Sequence, residues 1–247
     1  MTRRWRSLIV PAIATAVVCA ILVGLGIWQV QRLAWKEALI AAVTARMHAA
    51  PIPAPTPAEW PTLDFDALEY QPVTVTGRYD NAHEAYVIYA LTSPKGPVGG
   101  IGYEVMTPFL ADAGWTVYVN RGFVPAANRD PATRAAGQIE GETNVTGVLR
   151  RPADRAWFMP GDNAEKNEWF SRDPALYAAA ANLPRPAPYI IDAAADPSLP
   201  GGLPQGGETV VDFPNSHLGY AITWFGLALT AAGVFLAYAI SKLRAGT

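Results

Sequence analysis

Residues 7–28 read SLIVPAIATAVVCAILVGLGIW and residues 218–240 read LGYAITWFGLALTAAGVFLAYAI, and neither stretch carries a charged side chain. Each is close to the roughly 20 residues that an α-helix needs to cross a hydrocarbon core about 30 Å thick. The two runs account for the composition of the whole chain. Hydrophobic residues make up 51% and charged residues only 16%, against about 25% charged in an ordinary soluble domain. The sequence therefore predicts a membrane protein in which two transmembrane α-helices flank an extracytoplasmic α+β domain rich in antiparallel β-strand. Its expected parts are a cytoplasmic N-terminus over 1–6, a first span over 7–28, the domain over 29–215, a second span over 216–240 and a cytoplasmic C-terminus over 241–247.

The first run is longer than the apolar core of a signal peptide and ends without a small-x-small cleavage site, so it is expected to stay as an anchor. Arg3, Arg4 and Arg6 precede the first span, and Lys242 and Arg244 follow the second. Against Arg32, Lys36 and Arg46 after the first span, this bias places both termini in the cytoplasm, or in the matrix of a mitochondrion. Ala12, Ala16, Ala20 and Gly24 form one candidate stripe of small residues, and Gly219, Gly226 and Gly233 another. Such stripes let transmembrane helices approach closely, and they are also common in unpaired spans.

A net charge of −2 supplies no basic footprint for nucleic acid. The one cysteine, Cys19, lies within the first run, which excludes an internal disulfide, a paired-thiol redox site and a cysteine-based zinc site.

The residues from Gln29 to Met47 contain no proline or glycine, so the first helix is expected to run on past the span until Pro51-Ile52-Pro53-Ala54-Pro55-Thr56-Pro57 ends it. Beyond it, β-rich runs occur at Val73–Tyr79, Ala85–Leu91, Gly102–Phe109, Trp115–Asn120, Asn144–Leu149, Tyr189–Ala193 and Thr209–Phe213. One helix is expected after Asp173, a capping residue followed by Pro174, ending before Pro184. Strands with few intervening helices suggest an antiparallel sheet or a partly closed barrel. His48 and His83 are isolated and read as surface or locally bonded. No hydrolase, zinc-protease or nucleotide-binding motif is present, so no catalytic residue is assigned and an enzyme is not expected. Asn120-Arg121-Gly122-Phe123-Val124-Pro125 reads as a strand exit, with Gly122 free to take positive φ and Arg121 tying down nearby carbonyls or carboxylates.

Three segments together resemble the Surfeit locus protein 1 family, called the Shy family in yeast, whose members are assembly factors for haem-copper cytochrome oxidases. They are Leu25 to Lys36 leaving the first span, Asn120 to Pro125 in the domain, and Asn215 to Phe225 entering the second span. The resemblance extends over essentially the whole chain. One departure is Phe123, where the family commonly has tryptophan; an aromatic packing role should survive the change.

The resemblance implies a bacterial inner-membrane protein with its main domain in the periplasm, or a mitochondrial inner-membrane protein in a eukaryote. The implied partners are oxidase subunit I, haem a synthase and the lipid bilayer, without nucleic acid. The implied cofactor is haem a, bound through the histidine that opens the second span, here His217, as ligand to the haem iron. Asn215 or Ser216 can cap that helix, and Tyr220, Ala221, Trp224 and Ala228 follow His217 on one face. Trp28, Arg32 and Trp35 at the end of the first span form a second candidate contact for haem. For the residues alone, plainer readings stand beside these: an imidazole bonded to a carbonyl or headgroup, and an aromatic belt with a snorkelling arginine. A scaffold that binds an oxidase assembly intermediate without touching haem is the alternative function.

Overall fold

The computed structural model describes residues 2–209 and 215–244. Along the chain run α1 (Thr2–Met47), β1 (Ile52–Pro53), α2 (Phe65–Leu68), β2 (Pro72–Tyr79), β3 (Ala85–Leu91), β4 (Gly100–Ala111), β5 (Thr116–Pro125) and β6 (Thr143–Arg150). They are followed by β7 (Glu168–Trp169), α3 (Pro174–Ala180), β8 (Ile190–Ala193) and α4 (His217–Arg244), with short 3-10 turns between. Two compact units result: residues 1–43 with 212–247, and residues 44–211.

In the first unit, α1 and α4 are each long and apolar enough to cross a membrane. As expected, α1 does not stop at the end of the apolar run but continues to Met47. Leu8, Gly26 and Gln29 are buried on α1, with Ala12, Thr15, Cys19 and Leu22 partly covered between them. On α4 the covered positions are Ala221 and Ala228, with Trp224, Ala231 and Phe235 half-buried. Both sets advance in alternating steps of three and four, the spacing of a helix–helix seam. The Cys19 thiol lies 3.5 Å from the Ala228 carbonyl oxygen, to which it donates. At Gly26 a Cβ would fall 2.6 Å from the Phe225 ring, so this glycine admits that ring.

The expected small-residue stripes are not the seam. Ala16, Ala20 and Gly24 are exposed, and a Cβ added at Gly24, Gly219, Gly226 or Gly233 would meet nothing within 4 Å. A strict four-residue step turns about 40° further around the helix each time, so it leaves a straight contact line after one or two steps. The glycines of α4 do keep heptad spacing, but two positions away from Ala221 and Ala228 they lie on a different face.

In the second unit the strands β2, β6, β8, β5 and β4 pair in that order, and β4 returns to β2 through Gly77–Tyr79 against Phe109–Ala111. The result is a five-stranded ring. All its pairings are antiparallel except β5 with β8. β1 lies parallel beside the start of β2, β3 pairs antiparallel with β4, and β7 lies parallel beside β3. Of the two expected forms, sheet or partly closed barrel, the strands take the barrel, mainly antiparallel and closed by the β2–β4 pairing. Neither β1, inside the proline-rich run, nor the two-residue β7 was foreseen, and the expected run Thr209–Phe213 falls almost wholly outside the described residues.

Period-two alternation sorts the side chains. Val73, Val75, Phe109, Val117, Val119, Val145, Leu149 and Ile191 fill the ring. Their neighbours Met106, Tyr118 and Ile190 point outward, where Trp169, Tyr177 and Ala178 cover them. Each such side chain contributes roughly 1.5–3 kcal/mol on burial. Tyr177 and Ala178 belong to α3, whose start is fixed by Asp173 accepting from the Ala175 amide and whose end comes with Asn182 at φ 55°.

Candidate functional site

His217 begins α4, with the Tyr220 amide donating back to the Ser216 carbonyl in its first turn. Its Nδ1 lies 2.7 Å from Oε1 of Gln29 on α1. Gln29 is only 8% exposed, and it sits one helical step beyond Gly26 in the seam. An amide oxygen can only accept, so Nδ1 is the donor in this bond, and in the Nδ1–H tautomer that satisfies it Nε2 is the nitrogen with a lone pair to offer a metal. Among the described residues no group of three or more His, Cys, Asp or Glu could hold a bare metal ion. A haem, unlike a bare ion, would ask the protein for as little as one imidazole ligand. The donor present at His217 therefore fits a haem.

The other sequence-predicted residues stand around this pair unequally. Tyr220, one turn along α4, is 54% exposed, and Trp224, two turns along, is half-buried. The covered face of α4, at Ala221 and Ala228, belongs to the seam rather than to an open wall. Trp28 is 54% exposed, outside the seam. Arg32 is exposed too, with its guanidinium carbon 4.0 Å above the Trp35 ring. The structure thus joins His217 to Gln29, which sequence reasoning had passed over by ending the first span at Trp28. The signal was its register: Leu8, Thr15, Leu22 and Gln29 repeat every seventh residue.

The domain motif is not a strand exit. β5 runs straight through Asn120 to Pro125, and the register shifts opposite Glu104–Met106 because Arg121 and Gly122 together oppose a single residue of β4. This is a β-bulge, and Gly122 takes φ 120° to make it. A Cβ there would lie 2.0 Å from the Gln205 carbonyl oxygen. Phe123 keeps the aromatic role expected of it: it is 1% exposed, and its backbone exchanges both hydrogen bonds with Gln205.

Asn120 faces outward, donating to Glu104 at 3.2 Å and Asp192 at 3.0 Å. Arg172 binds Asp192 through a very short contact and approaches Glu104 at 3.3 Å, and Arg150 reaches Asp192 at 3.2 Å. Burial pushes the Glu104 carboxyl above its usual range, with Arg172 pulling back. Arg121 faces inward at one mouth of the ring. It donates to the Gly137 carbonyl and to Asn81 and Gln138, and lies 4.5 Å from the Tyr79 ring and 3.7 Å from Glu84. Burial lowers the Arg121 guanidinium and raises the Tyr79 hydroxyl to about 12. Glu84 is further held by Arg134 at 2.6 Å, in a fork whose second bond is 3.2 Å. The expected tying role of the arginine is what the structure has, and in both clusters the carboxylates are matched by arginines. His48 and His83 bond locally, to the Thr44 carbonyl and the Asp80 carboxylate.

Comparison with known proteins covers nearly the whole chain. The profile described as the SURF1 family matches residues 16–229. Surfeit locus protein 1 of Takifugu rubripes is 36% identical over 258 aligned positions, spanning 98% of this chain and 98% of its own. The human protein of that name is 39% identical across 91% of this chain and 73% of its own length. A SURF1-like protein of Monosiga brevicollis is 39% identical across 85% of this chain and 80% of its own.

Proposed function

This chain belongs to the SURF1 family, and from that premise we propose that it is an inner-membrane assembly factor for a haem-copper cytochrome oxidase, binding haem a and assisting its delivery to or retention in subunit I. The observation that carries the reading is the pairing of His217 Nδ1 with Gln29 Oε1 at the start of the second apolar helix. It gives Nδ1 an acceptor and leaves the other ring nitrogen as the one that could meet iron, at the edge of a helix long enough to cross the bilayer.

His217 would hold a haem through its iron, and the residues around it would have to keep a broad apolar ring system from water. In this chain His217 offers Nε2. Tyr220 and Trp224 put aromatic surface on the following turns of α4. Trp28 gives further aromatic surface beside the seam, and Arg32 a positive charge of the sign that porphyrin propionates require. The arginine flanks of the two spans support cytoplasmic termini and a periplasmic domain. Oxidase subunit I and haem a synthase are the partners this reading requires, and the polar clusters around Asn120 and Arg121 serve to hold the domain in shape.

The test is the absorption spectrum of the chain purified from cells that make haem a. The wild type should carry haem a, and His217→Ala should lose it while remaining inserted and folded. A wild type without haem under those conditions favours the second reading, a scaffold that stabilises an oxidase assembly intermediate. A folded His217→Ala variant with unchanged haem content removes His217 as ligand.

A further inference from the structure

We infer that Gln29 is the positioning residue for His217: its side-chain oxygen fixes the imidazole as the Nδ1–H tautomer, sets the ring orientation, and so directs Nε2 toward the iron. The inference deepens the proposed haem site and rests on it. It starts from a placement that is otherwise costly. Gln29 is a primary amide buried at 8% exposure in a seam whose other members are apolar or small, and a buried amide without a partner loses roughly 1–3 kcal/mol. The His217 ring is the hydrogen-bond partner described for it, 2.7 Å away on the opposite helix.

Their separation of 188 residues in sequence makes the contact a product of helix pairing. Gly26 sets the approach, because a Cβ there would fall 2.6 Å from the Phe225 ring and the ring would have to shift from its place against α1. The ligand is thereby coupled to the first span: the imidazole is correctly aimed only while α1 and α4 are paired. An imidazole free at both nitrogens would divide itself between two tautomers and several ring rotations, and the Nε2–H tautomer cannot ligate through Nε2. Metal-bound histidines ordinarily donate their second N–H to a carbonyl or carboxylate, which also raises the basicity of the ligating nitrogen. Gln29 provides that acceptor from a neutral side chain, suited to an apolar surrounding where a carboxylate would cost far more to bury.

The experiment uses the full chain in lipid nanodiscs, with Gln29→Leu to remove the acceptor and Gln29→Glu to keep it. In the haem-free wild type, nitrogen NMR of labelled histidine should show His217 with a protonated Nδ1 and an unprotonated Nε2. Gln29→Leu should lose that preference and bind haem about 10- to 100-fold more weakly, the usual effect of removing such a partner. Gln29→Glu should retain binding and shift the haem reduction potential downward, a change that a merely structural role would not cause. An Nε2–H tautomer in the wild type overturns the inference, as does a Gln29→Leu variant with wild-type haem affinity and potential. The tautomer is read with no haem present, so a wild type that shows the Nδ1–H form but takes up no haem counts against the proposed function and not against the positioning by Gln29.

Discussion

Asn120 and Arg121 are consecutive on β5, yet their side chains close two separate buried carboxylate clusters, Asn120 at Glu104 and Asp192 on the outer face and Arg121 beside Glu84 at the mouth of the ring. Alternation along a strand sends neighbours to opposite faces, and the bulge at Gly122 lets the strand carry both anchors without losing its pairing beyond them. A motif of three residues therefore fastens β4, β5 and β8 on one side and the Gly137 turn on the other.

Gly122→Ala should prevent the domain from folding stably. The backbone conformation at φ 120° is open essentially to glycine alone and costs about 1–3 kcal/mol for another residue. The new Cβ would also collide with the Gln205 carbonyl. Gly114 is the control, since it has φ 83° with open space around a Cβ, and Gly114→Ala should cost only about 1–2 kcal/mol. Thermal unfolding of the two variants in detergent measures the contrast, and equal losses would show that the close approach at Gly122 does not matter.

Arg134→Met should destabilise the chain by about 3–5 kcal/mol, because it leaves a buried carboxylate on Glu84 without its forked partner. Adding Glu84→Gln should recover part of the loss. A denaturant double-mutant cycle reads the coupling, and strict additivity would mean that the pair does not act as one.

Asp162 predicts an acid dependence. Burial pushes its carboxyl up, but the Ser171 hydroxyl and the Phe170 and Ser171 amides outweigh this and hold it below its ordinary 3.8. A depressed carboxyl stabilises the fold above the unfolded value and loses that contribution as pH falls through the folded one. Asp162→Asn should therefore be less stable than wild type at neutral pH, by about 1–3 kcal/mol for the lost charge-assisted bonds. The two melting curves should draw together as pH falls below 3.8 and converge only beneath the still lower folded-state value. A gap that persists in acid would assign the difference to packing.

Ala228→Cys should form a disulfide with the native Cys19 under mild oxidation, since the thiol already lies 3.5 Å from the residue 228 carbonyl. Gly226→Cys should not, and Gly26→Leu should weaken the Ala228→Cys crosslink by forcing Phe225 away from α1. Equal crosslinking at 226 and 228 would place the seam elsewhere.

Orientation is tested by alkaline phosphatase fusions. One joined near Pro55 should be active and one after Thr247 inactive, as the arginine flanks of the two spans require. The reverse pattern would invert the proposed topology.

The apolar runs of the two long helices, the continuation of α1 to Met47, the cap at Asp173 and six of the eight strands were legible in sequence, because each depends on local periodicity or a local stop signal. The helix seam was misread: small residues mark where close approach is permitted, and only the partner helix decides which of them meet it. Ala16 and Gly226 were permitted and unused, while Gly26 was used. The bulge at Gly122 replaces the predicted strand exit for a related reason, since positive φ and a following proline look alike in a turn and in a strand that bends and continues. At the candidate site His217 was visible through its motif. Gln29 could be read onto the seam from its heptad register, but its pairing with His217, 188 positions away, could not.

Closing β4 onto β2 changes how the domain can meet another protein. A strand with both neighbours already bonded has no spare row of amides and carbonyls to offer. β1 and β4 together occupy the flank of β2 that β6 leaves, and β7 covers the first half of β3. Among the described strands, an open backbone edge is left to the stretch Ile88–Leu91 and to the two-residue terminal strands β1 and β7, so recognition on the ring itself must be read out largely through side chains and connecting loops.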